Sequence, residues 1–417
     1  MKSLFGLGCA ALYLFTSSVF ASKVNFSGFG TIGATYSDNE YLELTTDFLN
    51  TSHDGFTFLN ESKVGFQANL ALADKWDAVG QVVFQDRNRK TFNEFIELAF
   101  IRYRPNRNWS LRAGRVNSDL YLLSDYPYVG YAYLWSRPPN EFYSIASPVN
   151  NFDGVDLEYK NHIADGFFRF RLGYGQTSPE LQGVDNRFGF TSKDLILLSA
   201  SYQLNNWLIR LTHSQSNFDD LRAFEFSDAQ LILEQTPDDI WPAKVEILDK
   251  FEISGKSSSY DSLGISYESK SWLFYSEGGI SKNDWLPFSS SNSGYATLGY
   301  IREQITYFIS LSAIKNSDKI PTYSPPIFDA NTPPELAAYL YAISDTLTTI
   351  LDSITARQTT ISAGAKLDLT SSMNIKLQLD HTNISPKGYG LWNTKTPEIL
   401  TTRDKVNTLS LSFNVLF

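Results

Sequence analysis

The amino-acid sequence predicts an all-β fold: a transmembrane antiparallel β-barrel of about sixteen strands. Three observations carry this. Segments of about ten residues place an apolar side chain at every second position. Tight turns alternate with long connections along the chain. The chain is also rich in aromatic residues, 15%, yet its mean hydropathy is negative, and no stretch of eighteen apolar residues follows residue 21. A strand that crosses a bilayer needs only about nine to eleven residues and shows lipid one face.

The first segment reads as a leader. Lys2 supplies a positive start, Leu4 to Phe15 is an apolar run, and Val19-Phe20-Ala21 offers a cleavage site after Ala21. The run is too short to anchor the chain as a helix. Residues 1–21 are thus expected to be removed, leaving 22–417 as the barrel. Cys9 is the single cysteine and falls in the leader. Thiolate catalysis, cysteine–zinc sites and disulfides are therefore not expected in the mature chain. Acidic residues outnumber basic ones, 45 to 35, and there is no basic stripe, which argues against nucleic acid as a partner. No linker or low-complexity tract divides the chain, as one large closed sheet requires.

Sixteen strands are predicted at 24–36, 60–72, 75–86, 94–105, 108–116, 151–160, 164–175, 192–204, 206–216, 257–268, 270–282, 292–302, 303–314, 357–369, 371–382 and 404–417. In the second, Val64, Phe66, Ala68 and Leu70 oppose Lys63, Gly65, Gln67 and Asn69. In the seventh, Phe168, Phe170, Leu172 and Tyr174 oppose Arg169 and Arg171. In the thirteenth, Ile305, Tyr307, Ile309 and Leu311 oppose Thr306, Ser310 and Ser312. Alternation is poor over 94–105, and a lipid-facing charge at mid-membrane costs about 2–4 kcal/mol. Arg102 and Arg104 are therefore expected near an interface or inside. Tight turns are expected at Ala73-Asp74, Pro105-Asn106-Arg107, Asn161-His162-Ile163, Asn205-Asn206, Ser269-Lys270, Arg302 and Thr370-Ser371. Long connections are expected at 37–59, 87–93, 117–150, 176–191, 217–256, 283–291, 315–356 and 383–403.

The last strand carries a resemblance. Leu409, Leu411, Phe413, Val415 and the terminal Phe417 alternate with Thr408, Ser410, Ser412, Asn414 and Leu416. A terminal Phe closing such a strand is similar to the C-terminal signature of Gram-negative outer-membrane barrels, which the barrel-assembly machinery reads. With sixteen strands and a long connection after the fifth, the chain resembles the general, trimeric porins. The resemblance covers the architecture of the whole chain. It implies a Gram-negative outer-membrane location, contact with outer-membrane lipid, a homotrimer, an inward-folded constriction loop, and passive diffusion of small hydrophilic solutes and ions. It implies no cofactor.

The connection 117–150 stands where that family's constriction loop lies. It lacks the family's usual short acidic motif and is unusually rich in tyrosine. Asp119, Asp125 and Glu141 offer negative charge, and Arg137 precedes two prolines that stiffen the segment. Lys63, Arg112, Arg169, Arg171 and Arg210 lie on predicted polar faces of the wall. Acids on the loop facing bases on the wall would set a transverse field across a narrow path. Alternatively, these cations pair with Asp156, Glu158, Glu268 or Asp380 and neutralise the lumen. Tyr126, Tyr128, Tyr131, Tyr133 and Trp135 fit two roles, a track for solutes or packing of the loop against the wall.

Two other connections are distinctive. In 315–356, Thr332 precedes Pro333, Pro334 and Glu335, a capping-box pattern with an early proline. Leu336, Tyr339, Leu340, Ile343, Leu347, Ile350, Leu351 and Ile354 then recur at helical spacing. That helix is expected to pack into the vestibule or against a neighbouring protomer. The connection 217–256 is acidic, through Glu234, Asp238, Asp239, Glu246 and Asp249. It is either a mouth that repels anions or a solvated loop.

Enzymatic chemistry is not expected. There is no Gly-x-Ser-x-Gly elbow and no His-Glu-x-x-His motif. Of the four histidines, His53 and His381 fall in predicted loops or strand ends and His162 in a turn; His213 sits with Ser214 and Ser216, but adjacent residues on a strand face opposite ways, so it would not meet Ser214. The rival readings are a substrate-selective channel and a surface receptor or adhesin with a closed lumen.

Overall fold

The structure, a computed structural model, describes residues 24–182, 187–222, 224–386, 388, 390–394 and 404–417. The leader expected over 1–21 and its cleavage site lie outside them. Sixteen long strands form a closed antiparallel barrel. They are β1 (Val24–Ser37), β2 (Lys63–Ala73), β3 (Trp76–Gln85), β4 (Ile96–Tyr103), β5 (Trp109–Asn117), β6 (Asn151–Ile163), β7 (Gly166–Thr177) and β8 (Arg187–Leu204). They continue as β9 (Trp207–Arg222), β10 (Ser257–Glu268), β11 (Trp272–Asn283), β12 (Ser291–Arg302), β13 (Ile305–Asn316), β14 (Arg357–Thr370), β15 (Met373–Ile384) and β16 (Asp404–Leu416). Each pairs with its neighbours in sequence, and β1 closes the sheet on β16 in the register Phe29–Leu416 to Ser37–Thr408. Closure removes both sheet edges, which a bilayer requires of any spanning sheet.

The alternation read from the sequence sets the two faces. Along β13 every second side chain, Tyr307, Ile309 and Leu311, is exposed, while Thr306, Phe308, Ser310 and Ser312 are buried inside. Phe66, Leu172, Ile209, Leu377 and Leu411 continue this outer apolar belt. At the short-turn end the belt closes on cross-strand pairs of rings: Trp76 with Tyr103, Trp109 with Tyr159, Trp207 with Tyr267 and Trp272 with Tyr300, with centroids 4.6–4.9 Å apart. Amphipathic rings collect at the membrane–water boundary. Arg102 and Arg104 lie at this end and both pair with Asp77, at 2.7 Å.

Four local expectations need correction. Arg302 is the last residue of β12, and the turn expected there falls at Glu303-Gln304. Asn161, His162 and Ile163 belong to β6, and the turn falls at Ala164-Asp165. Ala164 has φ +51°, a left-handed conformation that alanine does not advertise. β8 and β9 run past the predicted strand ends, and Gly189 still pairs with Arg222 beyond the expected start of the loop. The capping box at Thr332 does not form. Thr332 Oγ1 donates instead to Asp329 Oδ1 (2.9 Å), and Pro333 occupies the N-cap.

The helices lie in the connections: α1 (Phe92–Phe95), α2 (Asn140–Tyr143), α3 (Phe224–Gln235), α4 (Lys244–Phe251) and α5 (Pro334–Ser353). α3, α4 and α5 share one apolar core, in which Leu233, Trp241, Ile247, Phe251, Leu340, Leu347 and Leu351 are buried. The acidic connection 217–256 thus holds two helices. Its acids Glu234, Asp238, Asp239, Glu246 and Asp249 face outward, while its apolar residues meet the greasy face of α5. Together these helices cap the long-loop mouth.

Candidate pore constriction

The connection after β5, residues 118–150, folds into the barrel. Its base is closed by Ser118 N donating to Asn150 O (2.9 Å). From there it is stitched to the wall strand by strand. Leu120 O accepts from Thr212 and Ser262, both at 2.9 Å, and Tyr121 O accepts from Arg210 (2.5 Å). Leu122 N donates to Glu277 Oε2 (2.8 Å), and Trp135 Nε1 to Thr297 Oγ1 (3.2 Å). Tyr131 reaches down to Ser371 O in the turn between β14 and β15 (2.8 Å). Leu120, Leu123, Leu134, Trp135 and Phe142 bury their side chains against Leu197, Tyr260, Tyr295 and Phe308 of the wall. Each such side chain contributes about 1.5–3 kcal/mol.

Gly130 marks the closest approach of loop and wall. A Cβ there would lie 2.3 Å from Asn414 Oδ1 and 2.5 Å from Thr31 Oγ1. Lys376 Nζ caps the same stretch, donating to Gly130 O and to Trp135 O. Only glycine leaves room for this contact.

The charged residues separate into two groups. On β5 to β9, four guanidinium groups meet four carboxylates. Arg112 grips Asp156 with two bonds of 2.5 and 2.9 Å, and Arg171 bonds the same carboxylate at 2.9 Å. Arg169 bridges Glu158 (2.8 Å) and Asp125 (2.9 Å), and Arg210 lies 3.1 Å from Asp119. Ser199 also donates to Asp119 (2.5 Å). The four arginines predicted on the wall therefore engage both the loop acids and the wall acids. Asp119, Asp156 and Arg171 are buried; Asp125, whose side chain is 43% exposed, is the most open member. Burial pushes the Asp125 carboxyl up, but Arg169 beside it outweighs this and holds it below the ordinary value. Glu268 takes no part and accepts from Tyr275 (2.8 Å).

The second group lies across the barrel. Arg137 Nη1 donates to Glu61 (3.2 Å), and Nη2 donates to Asp380 and to Thr408 (3.1 Å). Its backbone N and that of Ser136 share Gln378 Oε1 at 3.2 and 2.9 Å. Burial raises the Glu61 carboxyl, against the pull of Arg137 and Lys63. Glu141 accepts from Ser312, Gln358 and Thr360 at 2.5–2.6 Å. Arg137 and Glu141 are therefore buried fastenings of the loop. Lys63 stands beside Glu61 and Tyr133, outside the arginine cluster.

The aromatic residues divide likewise. Tyr128, Tyr133 and Trp135 are buried, Tyr128 against Phe29 and Val83 and beneath Arg87. Tyr126 is 38% exposed, and Tyr131 is half-buried under Lys366. The sequence reading missed Glu61, Glu277 and Lys376. Lys376 had a signal, since it sits between Ile375 and Leu377 on an alternating strand; Glu277, between Ser276 and Gly278, had none. His213 bonds Asp261 (2.8 Å) on the outer face, while Ser214 points inward.

No family model matches the sequence, and no curated protein matches it. Solved structures do. The chain is similar to an anion-selective porin from Comamonas acidovorans, with 12% identity, 95% of this chain and 100% of that chain covered, and a TM-score of 0.53. It is similar to Salmonella typhi OmpF in complex with daunomycin (11%, 95% and 98%, 0.51) and to in-vitro folded OmpT of Vibrio cholerae in trimer form (10%, 95% and 99%, 0.50). At these identities the likeness is one of fold, and the fold is that of the outer-membrane porins.

Proposed function

We propose that the chain is an outer-membrane porin, a water-filled channel for passive diffusion of small hydrophilic solutes and ions. One observation carries this: the inward faces of the sixteen strands are rich in Ser, Thr, Asn, Gln and paired charged residues, with apolar residues such as Leu197, Tyr295 and Phe308 where the loop packs, while an apolar belt on the same strands faces out. A closed barrel of this size leaves an aqueous lumen, whereas about eight strands would be filled by side chains. Loop 118–150, fastened to the wall at both the arginine cluster and Asp380, narrows that lumen, and Asp125, Arg169 and Tyr126 are the loop and wall groups a solute would meet. The protein does no covalent chemistry. It sits in a Gram-negative outer membrane after loss of residues 1–21, as a homotrimer, with the strand ending in Phe417 as the signal read by the barrel-assembly machinery.

The test is swelling of proteoliposomes in sugars of graded size. Rates should fall with solute mass and saturate only weakly. Absence of swelling in arabinose, with protein shown to be folded, would sink the proposal in favour of a closed receptor barrel.

A further inference from the structure

Above loop 118–150 lies a chamber of about 660 Å3. Its floor is the end of that loop, Ile145 and Val149, and its ceiling is α5, through Thr346, Ile350 and Ile354. Phe190, Phe218, Trp285 and Phe288 form one wall; the Phe218 and Phe288 rings stack within 4° of parallel at 5.6 Å. The inward serines of β8 to β12, including Ser192, Ser214, Ser216, Ser281 and Ser291, continue from these rings along the same strands, Ser192 two residues from Phe190 and Ser216 two from Phe218. Among the described residues that line it, none is Asp, Glu, Lys, Arg or His, although the constriction loop beneath is fastened by ion pairs. The chamber is therefore lined by neutral groups. It offers an ion no charged partner, so a charged solute gains nothing there that a neutral one lacks.

We propose that this chamber binds an uncharged solute with an aromatic ring at one side and hydroxyl groups along the other. Its volume suits a drug-sized ligand. The rings of Phe288 and Phe218 take the apolar side, and the serine hydroxyls, each able to donate one bond and accept two, take the hydroxyls. Binding itself does not depend on conduction. Only the placing of the chamber on the solute's path rests on the channel reading.

The test uses the full chain, folded in detergent, with tryptophan emission as readout, since Trp285 and Trp392 both line the chamber. The probes are phenyl β-glucoside (ring plus hydroxyls, neutral), glucose (hydroxyls alone) and benzoate (ring with charge). Phenyl glucoside should shift the emission saturably, with glucose and benzoate at least about tenfold weaker. Phe288→Ala should weaken binding about tenfold. Ser281→Asp, which leaves the aromatic wall intact and adds a charge, should abolish it. No saturable shift, equal binding of benzoate, or unchanged binding in a folded Ser281→Asp variant would overturn the proposal. Planar-bilayer conductance is read separately. Binding without conductance refutes the channel and keeps the site, and conductance without binding does the reverse.

Discussion

Replacing Arg137 by alanine should release the constriction loop from the wall. The guanidinium holds two carboxylates at once, Glu61 and Asp380, whose side chains are 4% and 5% exposed, and it also bonds Thr408. Removing it leaves both acids buried and without their shared cation. Breaking a buried pair in this way costs about 3–5 kcal/mol. Urea unfolding followed by tryptophan emission should show that loss, and bilayer recordings should show flickering open-channel current as the loop leaves its seat. The deficit should also depend on pH, with a definite sign. Burial raises the Glu61 carboxyl above its ordinary value, so the ionised form costs folding energy at neutral pH. That cost fades as pH falls through the raised value. Without Arg137 the opposing pull is gone and the cost is larger, so the deficit of the alanine variant should shrink on acidification. A triple variant, Arg137→Gln with Glu61→Gln and Asp380→Asn, should recover most of the stability, because it leaves no unpaired charge. An Arg137→Ala variant with unchanged stability and quiet current, or a triple variant no better than the single, would refute the reasoning.

Asp125→Asn should lower the cation-to-anion permeability ratio in reversal-potential measurements, because it unmasks Arg169. In the native protein this ratio should hold steady from pH 7 down to about 4, since the Asp125 carboxyl is held below its ordinary value. Asp119→Asn should act differently, costing about 3–5 kcal/mol in urea unfolding by leaving the buried Arg210 guanidinium without its carboxylate. Gly130→Val should push the loop off Asn414 and Thr31 and change single-channel conductance, because its side chain has no space at 2.3 Å. Phe417→Ala should reduce the heat-modifiable, assembled fraction in membranes; the native residue exchanges backbone bonds with Gly28 and packs on Phe66 at 5.9 Å.

The barrel was legible because one physical rule governs every strand. Lipid on one side and water on the other force a period of two, and Ile309 and Ser310 obey it as plainly as Leu411 and Ser412. The rule stops where the membrane stops. Above it, β8 and β9 continue toward Gly189 and Arg222 without lipid to mark them, so their ends were misplaced. The cap was hidden for a related reason. Trp241, Ile247 and Phe251 stand among acids, and only the apolar face of α5 gives them a surface to bury. In the site, residue types were legible but partners were not. Arg137 and Glu141 both promised charge at a constriction, yet each is a buried fastening, set by Glu61, Asp380, Ser312 and Thr360 at distant points of the chain. Which tyrosine faces solvent depends on how the loop is seated, and that seat is fixed by Gly130 and Lys376.

In the proposed channel, water and small solutes pass through the barrel beside loop 118–150. Single-channel recording of the refolded protein in a planar bilayer tests it most directly. Stable ohmic steps, closing in threes, are the predicted result. An absence of steps from protein shown to be folded would contradict it.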